Sequence, residues 1–283
     1  MKRTIYASCD FETTKALGDK PPRVYAFDIC LYKKDLFLRT SPWNEYLFKY
    51  KLLETKYTTI TDTKDDLIHI TGVRFSDFPD IIRSCKRDIQ MIFQNGGKYD
   101  LYFLVPELNK KCQFVLNYDK SLISSKEDIL NGDQNFYTTL FLKNYAQRKE
   151  TIEKYEIDKY PSKYNNIYPN EYTYLLDNNK RYISLTIGLD SIKRHSKKFN
   201  QINMIDCYAQ FPYSLSQKGE EIGFPKLDKD DDYNRTELYP DIKTFMEDKN
   251  EVSYLFRDTK ITLLHTLTKY KELSELSPYF KPR

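Results

Sequence analysis

The sequence predicts an α/β (α+β) fold built on a mixed sheet. Short runs rich in β-branched and aromatic residues recur along the chain. Stretches with apolar residues at helical spacing follow several of them, and turn signals separate the two. Repeated strand, loop and helix units are typical of a sheet covered by helices. At 283 residues, the chain is long enough for one large domain or two small ones.

The first half of the chain begins with two adjacent strands. Residues 4–11 and 23–32 have β-favouring compositions, and the turn signals Gly18-Asp19 and Pro21-Pro22 lie between them. The elements predicted next are a helix beginning near residue 75, with Phe78, Ile81, Ile82 and Cys85 at helical spacing, a strand at 89–93, a turn at 94–97 and a helix that opens at 98–104.

Two regions depart from this pattern, and we interpret them as insertions. Residues 34–66 are rich in Lys, Thr and Asp and predict a long hairpin with loops. Residues 109–170 are polar and predict one helix near 137–155, on the rim of the domain.

The second half of the chain predicts a hairpin followed by helices. The predicted elements are a hairpin at 171–189, a strand at 200–206, a helix at 210–222 that stops at Gly223, and two helices within 236–269, the second from about residue 250.

Composition excludes several classes of protein. The net charge is +4, which is too small to indicate nucleic-acid binding by itself, and the 25 tyrosines are mostly explained by packing. The five cysteines form no Cys-x-x-Cys pair, so neither a zinc site nor a disulfide framework is indicated. Because there is no apolar run of about 18 residues and no signal-peptide pattern, we expect a cytoplasmic protein without a membrane partner.

The most informative motif is Asp10-Phe11-Glu12, which follows the first strand-forming residues. Side chains alternate along a strand, so the two carboxylates project from the same face about 7 Å apart along the chain. Carboxylates so placed can share hard divalent cations, as a two-metal phosphodiesterase requires. Taken alone, the pattern also fits an acidic pair that faces solvent.

Further carboxylates must then come from distant parts of the chain. Asp100 lies in the first turn of its predicted helix, just after Asn95-Gly96-Gly97. Asp258 follows Tyr254 by four residues in a predicted helix, so both side chains share one helix face. In isolation, the pattern of this second pair favours a solvated surface pair, and only the order of the motifs along the chain indicates a site.

Taken in order, the three motifs resemble the 3′→5′ exonuclease domain of family B DNA polymerases, most closely the protein-primed branch of phages and linear plasmids. The segments 206–215 and 223–226 resemble the single-stranded-DNA motif of that branch and the segment that carries its catalytic lysine. The resemblance implies a single domain over 1–283 with an RNase H-like mixed-sheet exonuclease fold, helices on both faces and a rim insertion. A phage or plasmid protein in the host cytoplasm would fit.

The resemblance also implies the site. The activity would be 3′→5′ exonuclease on a single-stranded or frayed DNA 3′ end, with two divalent cations, Mg²⁺ or Mn²⁺, as cofactors. The partners would be that DNA end and a polymerase domain or replication protein. The implied catalytic residues are Asp10, Glu12, Asp100, Tyr254, Asp258 and Lys226, with the four acids as metal ligands. The implied nucleic-acid-binding residues are Thr13, Asn95, Tyr99, Cys207 and Tyr208.

The chain departs from the family in three places. Cys207-Tyr208 stands where the family more often has a serine and an aliphatic residue. Lys229, in an acidic loop, competes with Lys226 for the role of the catalytic lysine. No Tyr-x-Asp-Thr-Asp polymerase motif follows. Two other functions therefore stay open: a nuclease-fold module that binds single-stranded DNA or a replication protein without turnover, and an exonuclease acting on RNA.

Overall fold

A nine-stranded mixed sheet organises the computed structural model, which describes residues 5–36, 47–115, 167–192, 199–228 and 235–277. The strands are β1 (Ile5–Thr13), β2 (Val24–Tyr32), β3 (Thr58–Asp62), β4 (Leu67–Gly72), β5 (Ile89–Phe93), β6 (Gln113–Phe114), β7 (Glu171–Leu176), β8 (Tyr182–Ile192) and β9 (Phe199–Asp206). Their order across the sheet is β3-β4-β2-β1-β5-β9-β8-β7-β6. The pairs β1–β5, β5–β9 and β6–β7 are parallel, and the other neighbours are antiparallel.

Helices cover both faces of this sheet, as predicted. They are α1 (Lys33–Leu36), α2 (Phe78–Arg83), α3 (Asp100–Asn109), α4 (Cys207–Gln210), α5 (Leu215–Glu221), α6 (Ile242–Glu247) and α7 (Lys249–Leu276). Residues of α2 and α3 pack into the main apolar core on one face. The long helix α7 lies against β1 and β2 on the other face.

Strand alternation in β1 divides its side chains between the two faces. Phe11 packs edge-on against Phe78 and Phe93 in the main core. On the opposite face, Ser8 contacts α7 through a hydrogen bond to the carbonyl of Thr259. Asp10 and Glu12 share the face of Ser8 because strand side chains repeat every second residue. The polar face of β1 is therefore directed toward α7.

Most predicted elements are confirmed. The hairpin expected within 34–66 lies further along the chain than predicted, because β3 falls inside that range but β4 begins at Leu67; the two strands form one edge of the sheet. The hairpin at 171–189 is β7–β8. The helix expected from about residue 250 is α7, which begins at Lys249. The helix predicted near 137–155 lies outside the described residues.

One predicted helix is wrong in its extent. The stretch 210–222 is not continuous, because α4 ends at Gln210 and α5 begins at Leu215. Pro212 lies in the break, where its missing N–H prevents a continuous helix. Ser214 then caps α5, and its side chain accepts from Gln217 N in a reciprocal capping box. The local capping signal thus takes precedence over the helical spacing.

In the part of the chain that the structure describes, no helix combines the length and the apolar character needed to cross a membrane.

Candidate functional site

A cleft of about 800 Å³ opens where β1 and β5 end, between α7 and the start of α3. Residues from distant parts of the chain meet there because the parallel strands β1 and β5 end at the same edge of the sheet. The cleft lining includes most of the residues predicted from the sequence: Asp10, Glu12, Thr13, Asn95, Tyr99, Asp100, Tyr208, Lys226, Tyr254 and Asp258.

Three carboxylates form the centre of the cleft. Asp10 and Glu12 from β1 and Asp258 from α7 each offer an oxygen, and these oxygens all lie within 4.8 Å of one another. Asp100 lies in the first turn of α3. The backbone N–H of Phe11, in β1, donates a hydrogen bond to the Asp100 carboxylate. The structure thus brings together the four acids that the sequence predicts, although Asp100 is not one of the three closest.

This crowding makes ionisation of the acids difficult. Burial raises the pKa of Asp10 well above its ordinary value, and the charges of Asp100, Glu12 and Asp258 raise it further. Burial likewise raises the pKa of Asp100 to about 7, although backbone N–H donors partly oppose the shift. The pKa of Asp258 rises to about 7 through burial and the charge of Glu12, while Lys226 partly offsets the rise.

The donor set fits a hard divalent cation. Among the described residues, Asp258 Oδ1 is buried and has no hydrogen-bond partner. A buried carboxylate oxygen without a donor is costly, and a cation shared with Asp10 and Glu12 would satisfy it. Oxygen ligands of this kind suit Mg²⁺ and Mn²⁺. Asp10, Glu12 and Asp258 are therefore the residues that could hold such an ion.

Lys226 and Tyr254, for which the resemblance implies catalytic roles, lie beside Asp258 in the cleft. Lys226 Nζ lies 3.5 Å from Asp258 Oδ2 and 5.0 Å from the centroid of the Tyr254 ring. Burial raises the pKa of Tyr254, and the charges of Asp258, Glu12 and Asp10 raise it further. The phenol therefore keeps its proton and can donate a hydrogen bond. Lys226 occupies the cleft, whereas Lys229 lies outside the described residues.

Exposed aromatic rings lie along the cleft. Tyr99 is 54% exposed and Tyr208 is 38% exposed, so each presents a ring face on which an unpaired base could stack. Asn95 has a left-handed backbone with φ 57°, which Asn tolerates better than most residues. With Thr13, Asn95 supplies polar groups at the end of the cleft nearest β1 and β5.

Cys207 is the one predicted site residue that does not line the cleft. Its side chain is fully buried in α4. Its Sγ donates to Gln94 Oε1 at 3.2 Å and accepts from the Lys218 ammonium at 3.2 Å. Cys207 therefore supports the segment beneath Tyr208 and does not contact a ligand in the cleft.

Asp206 supports the cleft from beneath, and the sequence pattern did not indicate this role. Its Oδ1 accepts from Tyr208 N at 2.9 Å, and its Oδ2 accepts from Gly97 N at 3.2 Å. A Cβ on Gly97 would lie 2.1 Å from the carbonyl oxygen of Tyr182, so only glycine fits there. Asp206 thus joins the turn before Tyr99 to the segment of Tyr208. The sequence signal that could have identified Asp206 is an acidic residue at the end of a predicted strand, where its carboxylate can cap the helix that follows.

The cleft also contains cations that the sequence pattern did not indicate. Lys98 and Arg181 both line it. Arg181 comes from the turn side of the β7–β8 hairpin, far from every motif along the chain. No local signal could have identified it, because its position depends on how the hairpin packs beside α3.

The chain has a mixed α/β fold, with helices on both faces of a nine-stranded sheet in the part that the structure describes. Solved structures of Phi29 DNA polymerase are similar to this chain. The complex with primer-template DNA has a TM-score of 0.53 at 13% identity, covering 95% of this chain and 32% of the polymerase chain. The complex with single-stranded DNA has a TM-score of 0.51 at 13% identity, with the same coverage. The ternary complex with primer-template DNA and incoming nucleotides has a TM-score of 0.52 at 14% identity, covering 96% and 32%.

This chain therefore spans about a third of the polymerase chains it matches. At this identity the likeness concerns the fold. No protein-family model and no curated protein matches the sequence.

Proposed function

We propose that this chain is a metal-dependent 3′→5′ exonuclease that acts on single-stranded or frayed DNA. The observation that carries the proposal is the convergence of Asp10, Glu12 and Asp258 within 4.8 Å, with Asp258 Oδ1 left without a donor among the described residues. Such a cluster is costly without a cation, and it lines a cleft large enough for a nucleotide. Two divalent cations, Mg²⁺ or Mn²⁺, are the proposed cofactors.

The residues of the site would each do a different part of phosphodiester hydrolysis. Bound cations would polarise the scissile phosphate and make the attacking water more acidic. Asp10, Glu12 and Asp258 would hold the cations, and Asp100 would orient the water by accepting a hydrogen bond from it. The Tyr254 phenol would hold the same water from the side of α7. Lys226 would compensate the negative charge that develops on the phosphate.

The cleft would grip the last nucleotides of a strand through rings and charges. Tyr99 and Tyr208 would stack on bases, a contact that does not depend on base identity. Lys98 and Arg181 would neutralise backbone phosphates. We further propose that the chain is the proofreading part of a longer protein-primed family B polymerase or a free-standing relative of one. The likeness in fold to a third of Phi29 DNA polymerase supports this.

The test is nucleotide release from a 5′-labelled single-stranded DNA with Mg²⁺ or Mn²⁺. The chain should shorten the strand stepwise from its 3′ end, and the Asp10→Ala/Glu12→Ala variant should not. A matched control, Asp62→Ala/Glu247→Ala, removes two exposed acids outside the cleft and should retain full activity.

Other outcomes of the same assay would contradict the assignment or identify a different function. Unchanged degradation by the Asp10→Ala/Glu12→Ala variant would contradict the assignment. If the wild-type chain binds DNA but leaves its length unchanged with every divalent ion, it is a binding module without turnover. A matched RNA strand, degraded faster than the DNA, would identify an RNA-directed enzyme.

A further inference from the structure

A buried hydrogen-bond network joins α7 to the sheet next to the candidate metal site. Asp28 of β2 is inaccessible to solvent. Its Oδ2 accepts from Thr259 Oγ1 at 2.7 Å and lies 2.7 Å from His69 Nδ1. Its Oδ1 accepts from Thr71 Oγ1 at 3.0 Å. Thr259 directly follows Asp258 in α7, so the network ends one residue from a candidate metal ligand.

A second hydrogen bond fixes the main chain at the same point. Ser8 Oγ of β1 donates to the Thr259 carbonyl at 2.7 Å. Ser8 precedes Asp10 by two residues and therefore lies on the same face of β1. Thr259 is thus bound to two neighbouring strands, through its hydroxyl to β2 and through its carbonyl to β1. The two bonds together set the height and rotation of the helical turn that carries Asp258.

Apolar contacts alone could hold α7 against this sheet, without a buried polar network. Burying Asp28 and His69 removes their hydration, and buried pairs of this kind often stabilise no better than apolar residues of similar volume. Hydrogen bonds are directional, so they favour one position of α7 along the sheet, whereas apolar contacts tolerate several. His69 also stacks on Phe256 of α7 with ring centroids 3.9 Å apart, so both members of the pair contact that helix.

The candidate metal site requires α7 to be held close to β1. Like charges on Asp10, Glu12 and Asp258 repel one another, and this repulsion acts to move α7 away from β1. Metal ligands must nevertheless stay within about 0.5 Å of their productive positions. The bonds from Asp28 and Ser8 to Thr259 oppose the displacement at the residue adjacent to Asp258.

We propose that Asp28 is a positioning residue for the candidate site. Through Thr259 it holds Asp258 in register with Asp10 and Glu12, and so sets the spacing of the oxygens that would bind a cation. This inference rests on the proposed function, because it assigns the network to the geometry of that metal site.

The test variant is Thr259→Val, which keeps the side-chain shape and removes the hydroxyl. We expect roughly tenfold weaker Mn²⁺ binding by calorimetry, the low end for residues that support metal ligands. A similar fall is expected in kcat for nucleotide release, with KM for the oligonucleotide within about twofold. Thr259→Ser retains the hydroxyl and should restore both quantities.

The matched control is Thr71→Val. It removes a hydrogen bond to the other oxygen of the same Asp28 carboxylate, one that joins β4 to β2 and does not involve α7. We expect Mn²⁺ affinity and kcat to stay at wild-type values. Ser8→Ala removes the other bond to Thr259 and provides a second variant, which should also weaken Mn²⁺ binding. Far-ultraviolet circular dichroism confirms that each variant is folded before Mn²⁺ is added.

The outcomes separate the two proposals. Wild-type Mn²⁺ affinity in Thr259→Val would overturn the positioning role of Asp28, whatever the result for Ser8→Ala, and would leave the proposed function standing. Equal weakening by Thr259→Val and Thr71→Val would also overturn it, since the effect would then be general to the core. A wild-type chain that binds no Mn²⁺ would overturn the proposed function and the positioning role together.

Discussion

Replacing Asp258 by Asn should stabilise the metal-free protein at alkaline pH while abolishing its activity. The reason is the pKa of Asp258, which burial and Glu12 raise from 3.8 to about 7. Between these two pH values the native state holds a proton that the unfolded chain has lost, so the free energy of unfolding falls as the pH rises. Above pH 7 the native carboxylate is also ionised, and this decrease in the free energy of unfolding is complete. An Asn at the same position carries no charge, so the variant does not undergo the decrease.

The size of the expected stabilisation follows from the pKa shift of Asp258. About three pKa units correspond to roughly 4 kcal/mol at ~1.36 kcal/mol per unit, which is the ceiling for one member of a coupled cluster. Because Asn also relieves repulsion on Asp10 and Glu12 but loses the attraction of Lys226, we expect a gain of about 2 kcal/mol at pH 8, or roughly 5 °C in Tm. Near pH 4 the gain should shrink toward zero.

The assay is urea unfolding followed by circular dichroism in EDTA, at pH 8 and pH 4. Asp241→Asn is the control. Asp241 is a half-buried helix cap outside the cleft, and hydrogen bonds from Thr244 lower its pKa, so its replacement should give no gain at pH 8. Adding Mn²⁺ should reverse the order, raising the wild-type Tm above that of Asp258→Asn. If Asp258→Asn is less stable than wild type in EDTA at pH 8, the carboxylates do not repel one another as described.

Three other perturbations test separate parts of the structure. Lys226→Gln removes the cation 3.5 Å from Asp258 and should lower single-turnover nucleotide release by about 10²-fold; an unchanged rate would assign the role to another lysine. Tyr99→Ala removes an exposed ring and should raise KM for single-stranded DNA by about tenfold at constant kcat, since stacking contributes about 1–3 kcal/mol per base; a fall in kcat alone would contradict this. For His69, burial lowers the pKa, but Asp28 and Cys30 outweigh it and raise the pKa from 6.5 to about 10. The stabilisation by its protonated ring is therefore complete below pH 6.5 and lost as the pH rises through 10. Urea unfolding across this window should show a steeper loss for wild type than for His69→Gln.

The sequence determined the parts of the site that depend on local geometry. Asp10 and Glu12 share a face because side chains alternate along a strand, and this holds wherever β1 lies in the sheet. Tyr254 and Asp258 share a face of α7 because they are four residues apart. Asp100 is the first residue of α3, shortly after the Gly96-Gly97 turn. Each of these placements needs only the neighbouring residues along the chain.

Tertiary structure decided how these parts meet and which neighbours support them. Cys207 follows Asp206 at the end of β9, yet it faces Lys218 and Gln94 in the interior, a direction set by how α4 and α5 pack. Arg181 reaches the cleft from a hairpin that no motif marks. The bond between Asp28 and Thr259 joins residues 231 positions apart. Side chains that distant touch only after the sheet and α7 have assembled, because packing and long-range hydrogen bonds, unlike strand and helix periods, are properties of the whole fold.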